Sequence, residues 1–261
     1  MSKLIDKLNQ ASQAVPQPMG FRQARPVSPK PKLLLVASLA QANLEELADC
    51  VAEADAGLLH ISELGSGAKA LQKISQVAPD IPWGGWLGDS GQGEIKEMVK
   101  VGCDFVVFPA ANTSLAMFQG GEVGKILEVE SSLSEGLLRA VNKLPIDAVL
   151  IASEQGEGYF LTWHHLTLFQ HFADLLTKPL LVSIPLSVTA SELQALWEAG
   201  VDGVVIELGA GQPIDRLKEL RQVVDKLDFP SPRKRKKVEA LLPYFAEERD
   251  IATGEEEEEE E

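Results

Sequence analysis

The stretch Gly-Val-Asp-Gly-Val-Val at residues 200–205 places an aspartate in a short turn directly before an apolar run. Similar stretches, each with its aspartate just ahead of an apolar run, begin at residues 54, 102 and 145. A pattern that recurs at such spacing indicates one supersecondary unit used repeatedly. We therefore expect four strand–helix–strand–helix units with equivalent turn aspartates, namely Asp55, Asp104, Asp147 and Asp202.

Eight apolar runs of strand length alternate with mostly amphipathic segments. Most runs are continuous rather than alternating, which is typical of strands buried on both faces of a parallel sheet. Right-handed crossovers between eight such strands close a barrel, and an open doubly wound sheet is the alternative. Evenly repeated units, and the lack of a GxGxxG motif after the first run, favour the barrel. The predicted strands are residues 33–39, 57–62, 82–87, 104–109, 126–130, 148–152, 180–185 and 203–208.

Two segments flank the predicted barrel of residues 32–227. Residues 1–31 combine a short amphipathic helix with a proline-rich linker, and residues 228–261 hold a basic cluster, a short helix and a glutamate run. The glutamate run repels itself and is predicted to be disordered. The sequence thus predicts an α/β protein, a (β/α)8 TIM barrel with an N-terminal helical arm and a disordered acidic C-terminal tail.

Charge and apolar patterning exclude several classes of partner. The formal net charge is −15, and an acidic body is unsuited to non-specific nucleic-acid binding. No apolar run is long enough for a membrane span, and the N-terminus lacks the apolar core of a signal peptide. Cys50 and Cys103 have no CxxC spacing and are interpreted as buried thiols, so a cytoplasmic location is predicted. The basic cluster at 233–237 is interpreted as pairing with the glutamate tail, through which a protein partner could also bind.

The candidate chemistry lies at the C-terminal strand ends, where (β/α) barrels build their active sites. Acidic side chains are frequent there, and the predicted catalytic residues are His60, Glu63, Asp89, Glu130 and Glu207. Paired carboxylates suit general acid–base catalysis, and three or more with an imidazole suit a divalent cation such as Mg²⁺ or Mn²⁺. The alternatives are that the carboxylates are solvated loop residues and that His60 is a core histidine with a satisfied partner. The remaining polar strand-end residues include Ser38, Trp86, Glu128 and Ser183.

The four turn aspartates are interpreted as structural rather than catalytic. They precede their strands and so belong to the opposite, N-terminal mouth of the barrel, where we expect the carboxylates to accept hydrogen bonds from turn amides. No lysine lies on the C-terminal half of any predicted strand, which disfavours a Schiff-base aldolase.

The turn pattern, and Glu-Ala-Gly-Val-Asp-Gly-Val-Val-Ile at residues 198–206 above all, resembles the phosphate-binding (β/α) barrel superfamily. That superfamily includes thiamine-phosphate synthase, the indole-glycerol-phosphate enzymes and FMN-dependent oxidoreductases, and the resemblance covers roughly residues 32–227. It implies a phosphate bound by the amides of Gly209 and Gly211. Two departures from the family weigh against this. After strand seven the family usually has a Gly-Gly-Ile-like turn that offers amides to phosphate, whereas this chain has Ser-Ile-Pro-Leu-Ser at residues 183–187. After strand eight, Glu207 would repel a phosphate dianion. FMN is disfavoured because no cationic side chain is placed for the flavin ring.

Two functions follow from these observations. The first is a lyase, isomerase or synthase that acts on a small metabolite, phosphorylated if the resemblance extends to the ligand. The alternative is a degenerate, non-catalytic barrel that serves as a scaffold or regulatory binding protein. The clustered polar residues favour the first and the altered phosphate turns favour the second. Convergence of the candidate residues in one open pocket would distinguish them.

Overall fold

A computed structural model of the protein describes residues 2–12, 33–39, 53–61, 64–88, 95–118, 122–152, 159–208 and 215–227. Eight parallel strands form a closed barrel in which neighbours follow chain order and the last strand pairs with the first. The chain is therefore an α/β TIM barrel, as predicted from the repeat. The strands are β1 Leu34–Leu39, β2 Ala56–Ile61, β3 Trp83–Leu87, β4 Phe105–Pro109, β5 Gly124–Val129, β6 Ala148–Ile151, β7 Leu180–Ile184 and β8 Gly203–Leu208.

Helices connect the strands, and two of them begin with a hydrogen-bonded cap. The hydroxyl of Thr162 accepts the main-chain N–H of His165, and that of Thr189 accepts the N–H of Glu192, which satisfies amides that a helix start leaves unpaired. No helix in the described part of the chain is both long and apolar enough to cross a membrane. The helices are α1 Lys3–Ser12, α2 Leu64–Val77, α3 Lys96–Lys100, α4 Glu135–Val141, α5 Trp163–Leu175, α6 Ala190–Glu198 and α7 Asp215–Lys226, with a 3₁₀ turn at Leu115–Phe118.

Side chains of the strands alternate between an outer core under the helices and an inner core inside the barrel. On β1, Leu35 packs outward, whereas Leu34 and Val36 pack inward. The strand register arranges the inward residues in layers drawn from alternate strands. Three successive layers are apolar or glycine: Ala56, Phe105, Ala148 and Gly203; Val36, Gly84, Ile126 and Leu181; and Leu58, Val107, Leu150 and Val205.

The four turn aspartates lie at one rim, at the N-terminal ends of the strands, as predicted. In three turns the aspartate exchanges two hydrogen bonds with one residue of the preceding strand region: its N–H donates to that residue's carbonyl, and its carboxylate accepts that residue's N–H. The exchanging pairs are Asp55 with Leu35, Asp147 with Lys125 and Asp202 with Leu180, with carboxylate–amide distances of 3.0, 2.8 and 2.8 Å. The expected donors were turn amides, whereas the actual donors belong to the neighbouring strand, so each aspartate fixes the start of one strand against the next.

Helix α1 packs into the N-terminal mouth of the barrel. Leu4, Ile5 and Leu8 are buried there as members of the inner core. A Cβ atom on Gly124 would lie 2.8 Å from side-chain atoms of Ile5 and Ser2, so a glycine is needed at this strand start. The mouth is closed by apolar contacts, which hold the arm on the barrel.

Asp104 differs from the other rim aspartates because its carboxylate binds α1. It accepts hydrogen bonds from the Ser2 hydroxyl at 2.7 Å, from the Lys3 N–H at 2.8 Å and from the Leu4 N–H at 3.0 Å. These amides begin the helix and have no partner within it. One of the four repeated aspartates thus caps the helix that fills the mouth.

Candidate functional site

A polar layer lies above the three apolar layers, at the C-terminal end of the barrel. Strands β1, β3, β5 and β7 contribute one residue each: Ser38, Trp86, Glu128 and Ser183. Trp86 and Glu128 are joined directly, since the indole Nε1–H donates to the carboxylate Oε2 over 2.6 Å. The interior of the barrel therefore changes from apolar to polar at one level.

Two serines of this layer are buried but differ in their partners. Ser38 is 0% exposed and Ser183 is 1% exposed. Ser183 has a partner, whereas the Ser38 hydroxyl has no hydrogen-bond partner in the described part of the chain. A buried polar group without a partner lowers stability by about 1–3 kcal/mol, so Ser38 is an unexplained cost to the fold.

His60 and Glu207 form the next level, where the barrel opens. His60 continues the inward face of β2, and its ring packs on Trp86 with 4.5 Å between ring centroids. The rest of the imidazole is exposed to solvent. Burial against the tryptophan lowers the pKa of His60, and the charge of Glu207 raises it by a smaller amount. At neutral pH the ring is therefore mainly uncharged.

The predicted catalytic residues are only partly brought together. His60 and Glu207 lie close enough at the mouth for the charge of Glu207 to raise the pKa of His60. Glu130 lies beyond the end of β5, exposed to solvent, where its carboxylate accepts the Ser132 hydroxyl at 3.1 Å. Glu63, Asp89, Gly209 and Gly211 lie outside the described residues. Within the described ranges no group of three His, Cys, Asp or Glu side chains is placed to hold a metal ion.

Glu128 is the residue that sequence reasoning passed over in favour of Glu130. Both follow the same alternation on β5, which places Gly124 and Ile126 inside the barrel. Glu128 lies within the strand and reaches Trp86, whereas Glu130 has already left it. Strand parity combined with the correct strand end would have identified Glu128.

The turn after β7 is held by an arginine from α7. Arg216 donates to the carbonyl of Leu186 at 3.3 Å and to that of Val188 at 2.9 Å, and it forms an ion pair with Glu219 at 2.7 Å. The N–H of Val188 donates to the Pro185 carbonyl. This positive charge and this amide, beside the departing sequence at residues 183–187, are therefore engaged within the protein.

The histidines of α5 either complete its cap or are exposed, and Cys103 is buried, as the sequence predicts for this thiol. The His165 ring nitrogen Nδ1 accepts the Thr162 N–H at 3.1 Å and so completes the cap of α5, while His164 and His171 are exposed. Burial raises the pKa of the Cys103 thiol to about 12. A thiol with so high a pKa is a poor nucleophile and a poor metal ligand.

An apolar groove of about 540 Å³ lies outside the barrel, between the start of α5 and helix α6. Phe160 and Trp163 border it and are 68% and 85% exposed. The groove is separate from the mouth, because its lining comes from helices and a loop rather than from inward strand positions. It is lined by Phe160, Leu161, Thr162, Trp163, Leu166, Ser191, Glu192, Ala195 and Leu196.

Solved structures resemble this chain in fold, whereas no family model and no curated protein matches it. A mutant tryptophan synthase alpha-subunit from Pyrococcus furiosus is 11% identical with a TM-score of 0.56, covering 74% of this chain and 96% of the other. Thiamine phosphate pyrophosphorylase from Pyrococcus furiosus is 15% identical with a TM-score of 0.57, covering 75% of this chain and 96% of the other. These likenesses show that the chain shares the fold of these two proteins.

Proposed function

We propose that this TIM barrel is an enzyme of the lyase, isomerase or synthase type that acts on a small metabolite at its C-terminal mouth by general acid–base catalysis. One observation carries the proposal: Trp86 contacts two titratable side chains at once. Its ring packs on His60, and its N–H donates to Glu128. Two proton-transfer groups fixed by one rigid aromatic side chain provide the positioning that such catalysis needs.

The polar layer includes a group that lowers the stability of the fold, which supports a functional role for its residues. Three apolar layers already fill the barrel beneath it, and an apolar residue in place of Ser38 would extend that packing. The Ser38 hydroxyl, which has no hydrogen-bond partner in the described part of the chain, instead lowers the stability of the fold. Residues that break a local rule of packing without a compensating contact are expected at functional sites.

The two groups suit opposite sides of one substrate. His60 belongs to β2 and Glu128 to β5, so they face the interior from different walls. His60 accepts a proton from one substrate atom as the uncharged imidazole, Glu128 in its protonated form gives one to a second atom, and a proton that passes from His60 to Glu128 through solvent restores both groups. The sum is a proton moved across the substrate, with no net gain or loss by the protein.

The same proposal covers a phosphate group on the substrate, a bound divalent cation and the location of the protein in the cell. A phosphorylated substrate has the weaker support, because Arg216 is engaged with Leu186, Val188 and Glu219. A divalent cation needs carboxylates beyond those the described residues bring together. A reducing, cytoplasmic setting is compatible with the free, buried thiol of Cys103. Fractionation of cells that express the tagged chain tests the location.

A thermal-shift screen of small metabolites, phosphorylated and unphosphorylated, with and without Mg²⁺, tests the proposal. A ligand at a hundred times its Kd is expected to raise the Tm by about 5–10 °C. Hits are then incubated in D₂O, where acid–base catalysis introduces deuterium at carbon or converts the compound, both visible by NMR. His60→Gln and Glu128→Gln should each lower that rate by about 10²- to 10⁴-fold.

Glu130→Gln is the matched control, since it removes a carboxylate at the end of the same strand that is exposed and lies beyond the polar layer. It should leave the exchange rate unchanged. Ligands that bind at the mouth without exchange or conversion would contradict the enzyme. The protein would then be the non-catalytic, regulatory binder that the sequence left as the alternative.

A further inference from the structure

Three polar side chains stand side by side on one wall of the mouth. They belong to the adjacent strands β8, β1 and β2, and the Cα atoms of Glu207 and Ser38 are register partners. His60 lies two positions beyond Leu58, which is the register partner of Ser38 on the other side. Ser38 therefore lies below and between Glu207 and His60, all three on inward positions.

The polar atoms on this wall have unused hydrogen-bonding capacity among the described residues. The Ser38 hydroxyl is fully buried without a hydrogen-bond partner in the described part of the chain. The Glu207 carboxylate receives no hydrogen bond and forms no ion pair with a described residue, and its one recorded interaction is the electrostatic one with His60. The histidine ring, mainly uncharged, offers an acceptor nitrogen.

The charge on this wall is negative and unopposed. Along the eight strands no lysine or arginine occupies an inward position, and Lys125, the single cationic residue in a strand, lies next to inward-facing Gly124 and Ile126 and so faces outward. A half-buried carboxylate without a counter-charge favours a cationic ligand group.

We propose that this wall binds a primary ammonium group of the ligand, with the Glu207 carboxylate, the Ser38 hydroxyl and the His60 imidazole as acceptors. A primary ammonium has three N–H donors and no acceptor, so its donors match the three groups one to one. The inference rests on the proposed function only in taking this mouth as the ligand site, and it names the substrate class as an amine. The ammonium nitrogen is then the substrate atom from which His60 accepts a proton, and Glu128, on the wall formed by β5, is left to act on the remainder of the molecule.

Two other ligand groups fit the wall less well. A phosphate would meet the Glu207 charge, with no cation on the inward positions to offset it. A hard divalent cation prefers six or more oxygen ligands, several of them carboxylates, and this wall supplies one carboxylate. The ammonium group is favoured because it needs one negative charge and two neutral acceptors.

Small probes separate these possibilities on the intact protein. The ring signals of the four histidines are followed by NMR, with His60 assigned from His60→Gln, during titration with butylammonium chloride. We expect the His60 signal to move with saturation in the millimolar range. Tetramethylammonium chloride, which has the charge but no N–H donor, should move it far less, and sodium butyrate, inorganic phosphate and MgCl₂ should leave it in place.

Variants locate the binding. Glu207→Gln should weaken butylammonium by about ten- to a hundredfold, and Ser38→Ala by about two- to tenfold. Glu130→Gln, which removes an exposed carboxylate outside the wall, should bind as the wild type does. The comparison of butylammonium with tetramethylammonium needs only the wild-type protein. It therefore still tests whether the wall binds a primary ammonium group if a variant fails to fold.

Three results would overturn the inference. These are equal responses to the two ammonium ions, a response to phosphate, butyrate or Mg²⁺ in place of butylammonium, and no response to any probe. The proposed function is judged separately by the metabolite screen. An anionic substrate found in that screen would support the proposed enzyme and contradict the amine as its substrate class.

Discussion

The two mouths of this barrel are built from the same strands but differ in how far their polar groups are paired. At the N-terminal mouth the side chains of α1 fill the interior, and three described aspartates each accept a strand amide while a fourth caps the helix. At the C-terminal mouth Ser38 has no partner and Glu207 has no counter-ion within the described residues.

The N-terminal mouth therefore mainly stabilises the fold, whereas the C-terminal mouth holds the groups that are available for function. Contacts at the filled mouth are complete, so any change there removes a favourable interaction. At the C-terminal mouth the Ser38 hydroxyl has no hydrogen-bond partner among the described residues, so its replacement by an apolar residue costs little or even stabilises the fold. Functional sites commonly show this trade of stability for reactive or ligand-binding groups. Four comparisons of variants, taken from the largest expected effect to the smallest, test the contrast.

Leu8→Ala at the filled mouth should lower the free energy of unfolding by about 2–5 kcal/mol, because it leaves a cavity under a side chain that is 0% exposed. Urea denaturation monitored by tryptophan fluorescence measures the change. Asn9→Ala, on the exposed side of the same helix, should stay within about 0.5 kcal/mol of wild type. If the two variants were equally stable, α1 would not be packed in the barrel.

Asp104→Ala should lower the free energy of unfolding by about 1–2 kcal/mol, because α1 loses its cap. Asp147→Ala is the matched variant at the same rim, exposed and holding one strand amide, and should cost less. Hydrogen exchange of the Leu8 amide should accelerate in Asp104→Ala alone. Equal acceleration in both variants would mean that the four turns are equivalent and that the capping role is wrong.

Ser38→Ala and Ser183→Ala compare two buried serines of one layer. Ser183 has a partner, so its loss should cost about 1 kcal/mol. Ser38 has no described partner, so its replacement should leave stability unchanged or raise it by up to about 1 kcal/mol. Paired urea denaturation curves measure both. A loss in Ser38→Ala as large as in Ser183→Ala would show that the hydroxyl is satisfied in solution.

His60 should give the smallest effect, a dependence of stability on pH. Its pKa is lower in the folded protein, mainly through burial, so as pH falls below about 6.5 the unfolded chain binds the proton first. The contribution of His60 is therefore fully present above that pH and is lost as pH falls through the folded pKa.

Urea denaturation at several pH values tests this, since His60→Gln should lose less stability between about pH 7.5 and about pH 5 than the wild type does. Glu207→Gln removes the charge that raises the His60 pKa. It should move the NMR titration of His60 to lower pH. A titration that moves to higher pH, or does not move, would show that the carboxylate does not act on the ring.

Prediction from the sequence succeeded where neighbouring residues carried the signal. The repeated aspartate turn indicated four positions at one rim, and the buried thiol of Cys103 was predicted from its local context. It named Glu130 rather than Glu128, which lies two residues earlier on the same face and contacts Trp86. That choice depends on where the strand ends and on Trp86, which is 42 positions away.

The sequence by itself determined the eight strands, the closed order of the barrel and the rim at which the aspartates lie, because apolar runs and turns act through residues close in the chain. The tertiary structure alone decided that Asp104 would cap α1, about 100 positions away, and that Ser38 would lie beside Glu207 from the last strand. Barrel closure joins the first strand to the eighth and sets their stagger. Which polar side chains meet at the mouth is therefore a property of the closed barrel, since no local pattern records the register between distant strands.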